Sequence, residues 1–396
     1  MNNNEHFEEQ KIHLYKSFDS DMLTVYDGKE YYEITKQERN EILSRPFKRG
    51  FILVPSMSKK KKKMKKEYKK YISMIDTIKS LTDNKINMYK TGTFGKTALA
   101  LFNKLNDIKS DKVEKYEFNY LNNGAGVRYA RTDYEGIAYK YDINSYYASI
   151  MLSKYARFPI TKGTILNIKT DELEQKRFAK FGVYNVRIYC DDDVKFTTLK
   201  SNMYSHYEVN YAKILGLKIE VIGPALVWNK EDTIPFYDVF NKYVNYLYKL
   251  KSKNTDCKTI LNSLWGSLVA KRGGTISCEV NYEDLDTKNN KILKITPIGN
   301  DFVKCRVIYK ENILYYRTPY ARINPFLLGF ARIQMHKTFN KIGYEHILRS
   351  HTDSIMCDIP LKKQIKINYA IGSWKYEGKC DNCVIYNKNF FDGDFN

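Results

Sequence analysis

The chain has 396 residues, 43% of them hydrophobic, enough to fill two or three domains or one large domain with insertions. Lys and Arg number 66 against 45 Asp and Glu, a net charge of +21, and a surplus of that size points to a polyanion: nucleic acid first, an anionic membrane surface second. No apolar run is long enough to span a membrane, and the polar start MNNNEHFEEQ has neither the apolar stretch of a secretory signal nor the arginines of a transit peptide.

Seven cysteines, odd in number and scattered from Cys190 to Cys383, fit reduced thiols in an intracellular, reducing compartment. Cys380-Asp-Asn-Cys383 stands without the second pair that a zinc knuckle needs, which favours structural thiols. The 34 tyrosines suit a core or base stacking, although an AT-rich coding bias explains most of them.

In chain order, residues 1–110 read as a small or irregular N-terminal region. Nine of the twelve residues from Lys59 to Lys70 are lysine, which suits a basic arm tracking phosphates, a nuclear address or a solvated helical linker. The stretch TGTFGKTALALF, Thr91 to Phe102, resembles a phosphate loop but fails on spacing, because Lys90 stands where the first glycine is required. NNGAGVRYA, Asn122 to Ala130, reads as a glycine-containing linker.

Beyond it, strands and helices alternate without a repeat. IAYKYDI (137–143) and FGVYNVRIYC (181–190) have strand character, and YAKILGLKIEVIG (211–223) reads as a helix end, a glycine stop and a strand. FYDVFNKYVNYLYKLK (236–251) places Phe236, Val239, Phe240, Val244 and Leu247 on one helical face. Residues 273–320 read as an inserted β-hairpin region. The mixed order predicts an α+β fold rather than a doubly wound parallel sheet.

Three stretches carry chemistry. In YKYDINSYYASIM, Tyr139 to Met151, a strand runs into Asp142 and Ser145 suits a helix N-cap, so a carboxylate at a strand end faces a helix start. In DCKTILNSLWGSLVAKR, Asp256 to Arg272, Asp256 suits the helix start. Lys258, Asn262 and Trp265-Gly266 share one face, while Ile260, Leu264 and Leu268 share the other. SHTDSIMCDI, Ser350 to Ile359, reads as a hairpin with Asp353 at its tip. Two carboxylates on neighbouring strand ends can hold hard cations such as Mg²⁺ and serve phosphoryl transfer.

The order D-x-N-S-x-Y-x-S-I, then K-x-x-x-N-S-x-x-G, then T-D-S resembles the A, B and C motifs of family B DNA polymerases, most closely the protein-primed branch of phages, linear plasmids and viruses. The likeness covers residues 98–390, about three quarters of the chain. It implies a palm with an antiparallel sheet, helical fingers, and a template-directed DNA polymerase using DNA template and primer, dNTPs, Mg²⁺ with Mn²⁺ as an alternative, and a terminal protein as primer. No membrane partner is expected.

By the same resemblance, Asp142 and Asp353 are the catalytic carboxylates and, with the backbone at Ile143, the metal ligands. Tyr147 is the gate against the ribose 2′-hydroxyl, Lys258 binds the triphosphate, Asn262 and Trp265 line the nascent base pair, Gly266 admits close approach, and Ser145 supports the phosphates. Arg332, Lys375, Lys388 and the turn residues His351, Thr352 and Ser354 face primer or DNA. The resemblance divides the chain into a basic region (1–110), a first palm part (111–257), a fingers helix with inserted strands (258–320) and a second palm part (321–396).

The chain departs from the pattern at several positions. His351 replaces the first Asp of a D-T-D motif, and Arg349 stands where a Tyr is common; Tyr146-Tyr147-Ala148 replaces Leu-Tyr-Pro; Trp265 and Phe390 each replace a tyrosine. His351 removes one negative charge, and it suits a primer hydrogen bond or a softer metal such as Mn²⁺. Retained polymerase activity is the expectation, against a catalytically decayed DNA-binding relative or a template-independent transferase. Fewer than 130 residues precede the palm region, and Asp19-Ser-Asp21 is the nearest approach to an acidic proofreading motif, so no 3′–5′ exonuclease is expected. With Asn396 soon after the Lys388 segment, a reduced or absent thumb is expected too.

Overall fold

The computed structural model describes residues 9–18, 22–44, 50–121, 124–272, 276–281, 290–297, 302–309 and 315–396. Asp19-Ser-Asp21, Asn122, Asn123 and residues 273–275, 282–289, 298–301 and 310–314 of the 273–320 insertion lie outside the described residues. The chain forms two compact units, one of Met1–Asp107 with Lys242–Ser267, the other of Ile108–Asn241 with Leu268–Asn396.

The first unit is more regular than its sequence suggests. Four strands pair in the order Tyr31–Thr35, Met22–Tyr26, Lys11–Lys16, Phe51–Pro55, with the last pair parallel and the others antiparallel. Leu23, Val25, Ile34 and Leu53 meet in its core together with Ile42 of the helix Lys36–Ser44. The helix Met64–Leu81 buries Met64, Ile75 and Ile78 while Lys65, Lys66, Lys69 and Lys70 stay exposed.

TGTFGKTALALF forms no phosphate loop. Thr93 caps the helix Phe94–Leu105, its side chain accepting from the Lys96 amide, and no strand precedes it. Gly95 lies against Ser267, whose hydroxyl donates to the Gly95 carbonyl at 3.0 Å; a Cβ there would come within 2.8 Å of that hydroxyl. The helices Phe236–Lys251 and Asp256–Leu268 start and stop close to where the apolar periodicity places them. Phe236, Phe240, Val244, Leu247, Ile260, Leu264 and Leu268 are all fully buried.

The second unit is built on a six-stranded antiparallel sheet. Its order is Phe391–Asp392, Trp374–Ile385, Tyr134–Ile143, Ser354–Cys357, Ile347–His351, Arg128–Ala130. The segment read as a linker therefore supplies an edge strand, because Arg128–Ala130 pair with Arg349–His351. Cys380 and Cys383 flank a bulge in Trp374–Ile385 and join the core of Ala138, Leu348 and Met356; burial raises the Cys383 thiol to about 11, an inert thiol. A second sheet carries Gly182–Ile188, and the helix Ile323–Ile342 is buried along most of its length. Mixed helices and antiparallel sheets make this an α+β protein.

Candidate active site

Asp142 lies one residue from the end of the strand Tyr134–Ile143, which is flanked on both sides by hydrogen-bonded neighbours. The register pairs Asp142 with Ser354 on one side and with Lys375 on the other. Just beyond Ser354, the Asp353 carbonyl accepts from the Ile143 amide at 2.8 Å. Neighbouring strands run about 4.8 Å apart, so the ladder brings the backbones at Asp142 and Asp353 to adjacent positions across it. Both are half-buried.

The hairpin tip is tight. The strands Ile347–His351 and Ser354–Cys357 leave only Thr352 and Asp353 in the turn, with Asp353 at the tip. Thr352 has a φ of +64°, costly for a β-branched residue, and the Asp353 amide reaches back to the His351 carbonyl at 2.9 Å. The Thr352 amide is held by the Val127 carbonyl at 2.8 Å, and Gly126 lies so close that a Cβ there would come within 2.9 Å of the Thr352 side chain.

The other flank is fixed as firmly. The Asn144 amide donates to the Ser373 carbonyl, the Gly372 amide to the Asn144 carbonyl, and the Asn144 side chain to the Tyr369 carbonyl at 2.7 Å. Ser145 occupies the N-cap position of the helix Tyr146–Met151, but not as a capping side chain. It is left-handed, with φ +54° and ψ +53°, and its side chain makes no cap bond; the strained turn throws the chain from strand to helix. Tyr146 anchors that helix by donating to the Ala331 carbonyl at 2.6 Å. Tyr147 sits beside the aspartate pair: burial first and the Asp353 charge second push its phenol up to about 12. It is therefore a neutral wall at physiological pH.

His351 lies opposite Arg128 and Ser354 in the sheet. Burial, then the charges of Arg128 and Arg349, hold its imidazole below the ordinary value, so it is neutral at pH 7. Arg349 stacks 5.0 Å from the Phe391 ring and donates to the Lys388 carbonyl. Lys388 is exposed and pairs with Asp193 at 2.6 Å, while Lys375 sits 3.4 Å from Glu377.

Arg332 has a different place from the one its motif position suggests. Only 1% exposed, it has no surface to offer a primer. Its Nε and Nη2 fork onto Glu208 at 2.8 and 2.7 Å, and Nη1 donates to the Ala125 carbonyl at 2.7 Å. Glu208 also closes the cap of its own helix by accepting from the Ser205 amide and hydroxyl. Arg332 thus ties the 124–127 segment, which holds the Thr352 turn, to two buried helices; it is a positioning residue. Glu208 and Arg128 were missed by the sequence reading. The S-x-x-E pattern of Ser205–Glu208 was a readable signal for the first, while nothing local marks the second.

Lys258, Asn262, Trp265 and Gly266 belong to the first unit, on the helix Asp256–Leu268. Lys258, Asn262 and Gly266 are exposed and Trp265 is half-buried; a Cβ at Gly266 would meet nothing within 4 Å. Asn254, not Asp256, caps this helix start, its side chain accepting from the Asp256 amide at 2.7 Å. The opposite face is fastened by Tyr243, which donates to the Ile260 carbonyl at 2.8 Å.

A family model described as DNA polymerase type B, organellar and viral, matches residues 54–344. The chain belongs to that family. No curated protein matches it. Membership brings DNA, dNTPs and the general use of divalent metal. The match takes in Asp142 and the helix of Lys258 but stops before the turn of Asp353, whose place beside Asp142 comes from the sheet register. No helix among the described residues is long and apolar enough to cross a membrane.

A type B polymerase needs a hard-cation site, and the donor set here fits one. Two half-buried aspartates stand at the ends of paired strands, and Mg²⁺ is held through one or two carboxylates while keeping several waters.

Proposed function

We propose that this polymerase performs template-directed nucleotidyl transfer: a primer 3′-oxygen bonds to the α-phosphorus of a dNTP, and the bond to pyrophosphate breaks. The observation that carries this reading is the register pairing of Asp142 with Ser354, with Asp353 bonded to the next residue along. Asp142, Asp353 and the Ile143 carbonyl would hold Mg²⁺ or Mn²⁺, which when bound supplies charge neutralisation and a lowered hydroxyl pKa. The remaining work falls to the chain's own side chains.

Tyr147, fixed by Tyr146 and kept as a phenol, excludes a ribose 2′-hydroxyl. Lys258 gives the triphosphate a point charge, Asn262 an amide and Trp265 a stacking plane, while Gly266 leaves the helix bare for close approach. Ser145 and the Asn144 backbone shape the phosphate side. Lys375, His351, Thr352, Ser354 and Lys388 rim the primer. A terminal protein as primer completes the proposal.

Primer extension in Mg²⁺ and in Mn²⁺ tests it, comparing wild type, Asp353→Ala and His351→Asp. Template-dependent incorporation by wild type is expected, with loss in Asp353→Ala and equal or higher activity in His351→Asp with Mg²⁺. DNA binding without incorporation in either metal supports the decayed relative, which the neutral His351 favours. Equal incorporation without template supports a transferase.

A further inference from the structure

The nine lysines of residues 59–70 lie in a built surface. The first five, Lys59 to Lys63, lead through a short 3-10 turn into the helix Met64–Leu81. In that helix Lys65, Lys66, Lys69 and Lys70 stand at i, i+1, i+4 and i+5, a spacing that gathers all four on one face. The opposite face is sunk into its unit by Met64, Ile75 and Ile78, each fully buried. All nine lysines are exposed.

The surrounding chain braces this surface. The Glu67 carboxylate, the one acid within the run, turns back to accept from the Ser56 and Ser58 hydroxyls, each at 2.5 Å, and from the Met57 and Ser58 amides. It is spent on fixing the approach to the helix and does not pair with the lysines. Tyr68 packs edge-on against Tyr26 at 5.3 Å. Among the described residues only Lys61 has an acid within ion-pair distance, Glu33 at 4.0 Å. Holding this many like charges together without counterions is unfavourable unless a polyanion meets them.

We propose that this helix face is a second DNA-backbone contact, carried by the N-terminal unit and separate from the aspartate pair. The polyanion it fits is the phosphate backbone, without sequence preference, because lysine ammoniums are point charges that track phosphates and read no base edges. A membrane surface fits less well. A helix lying on lipid turns an apolar face outward, and here the apolar face is buried within the unit. The inference stands on family membership and on this helix, not on the catalytic assignment.

The test uses the full chain and fluorescence anisotropy on a labelled primer–template over a range of salt. Lys65→Gln, Lys66→Gln, Lys69→Gln and Lys70→Gln are combined in one variant, with the matching four-Arg variant as the charge-conserving control. Each lost phosphate contact flattens the slope of log K against log salt by about 0.9. The Gln variant is therefore expected to flatten it by roughly 2 to 4 and to bind at least about ten-fold more weakly near physiological salt, with an unchanged melting temperature. The Arg variant should match wild type. An Asp142→Asn, Asp353→Asn variant should keep the wild-type slope, so failure of the catalytic reading leaves this one standing. Wild-type slope and affinity in the Gln variant would overturn the proposal. So would an unchanged DNA slope coupled with lost binding to phosphatidylserine vesicles, which would assign the face to lipid.

Discussion

Around the aspartate pair, several cations are matched to acids. Arg332 is forked onto Glu208, Lys140 sits 3.1 Å from Glu377 and Lys388 pairs with Asp193. Along residues 59–70 of the other unit, nine lysines face solvent, and among the described residues one acid comes within reach of one of them. The first region uses positive charge to fix geometry, and what it gives up is accessibility: Arg332 is 1% exposed. The second keeps its charge accessible and gains nothing internal from it. Motif position alone treats both kinds of cation as nucleic-acid ligands; burial and pairing separate them.

The comparison breaks first if the carboxylates are not the reacting centre. Asp142→Asn and Asp353→Asn should each lower primer extension by roughly 10²–10⁴-fold, several kcal/mol of barrier, while DNA affinity stays near wild type. A modest drop for either would dissolve the pair as a unit.

Next comes the difference between buried and exposed pairs. Removing one partner of the Arg332–Glu208 pair, as in Glu208→Ala, should destabilise the fold by about 3–5 kcal/mol in denaturant titration. Lys388→Ala, which removes a surface pair, should cost under about 1 kcal/mol. Similar losses in the two variants would refute the division.

A third effect is set by pH. His336 of the helix Ile323–Ile342 accepts from the Thr197 amide through Nε2 and lies 3.0 Å from the Val194 carbonyl through Nδ1, so it is the neutral Nδ1–H tautomer. Burial above all, with the Arg332 charge adding to it, holds its pKa at about 4. Between that value and the ordinary 6.5 the unfolded chain binds the extra proton. The stability contributed here is therefore full above pH 6.5 and falls as the pH drops toward 4. Melting temperature against pH should show this slope, and His336→Gln should reduce it; identical profiles for the two proteins would exclude His336 as its source.

The smallest effect concerns the turn. Thr352→Gly relieves a positive φ but adds freedom to the unfolded chain, so a net gain of up to about 1 kcal/mol is expected, read as a small rise in melting temperature.

Where the sequence could be read, a local period or an ordered set of motifs carried the information. The helix Phe236–Lys251, the strand into Asp142 and the hairpin with Asp353 at its tip announce themselves through spacing. The N-terminal sheet escaped notice because its strands, such as Lys11–Lys16, are short and flanked by charge. Arg128–Ala130 looked like a linker because glycines precede it, yet one of them, Gly126, lets the chain press against Thr352. Ser145 was expected to cap with its side chain, and only the backbone shows that it turns left-handed instead. The fate of Arg332 depended on Glu208, an acid 124 positions away, and no local pattern reports such a pairing.

The ladder between residues 139–142 and 354–357 also has a bearing on how such chains diverge. The spacing of the aspartates is set by strand register, not by the peptide that connects them. Segments threaded between residues 143 and 353 can lengthen, shrink or be exchanged at a closure penalty that grows only with the logarithm of their length. A single residue inserted within 139–142 would instead turn every side chain beyond it to the opposite face. Tolerance to insertion along this gene should therefore be patchy, generous across the intervening loops and nearly nil over four codons on each of two strands.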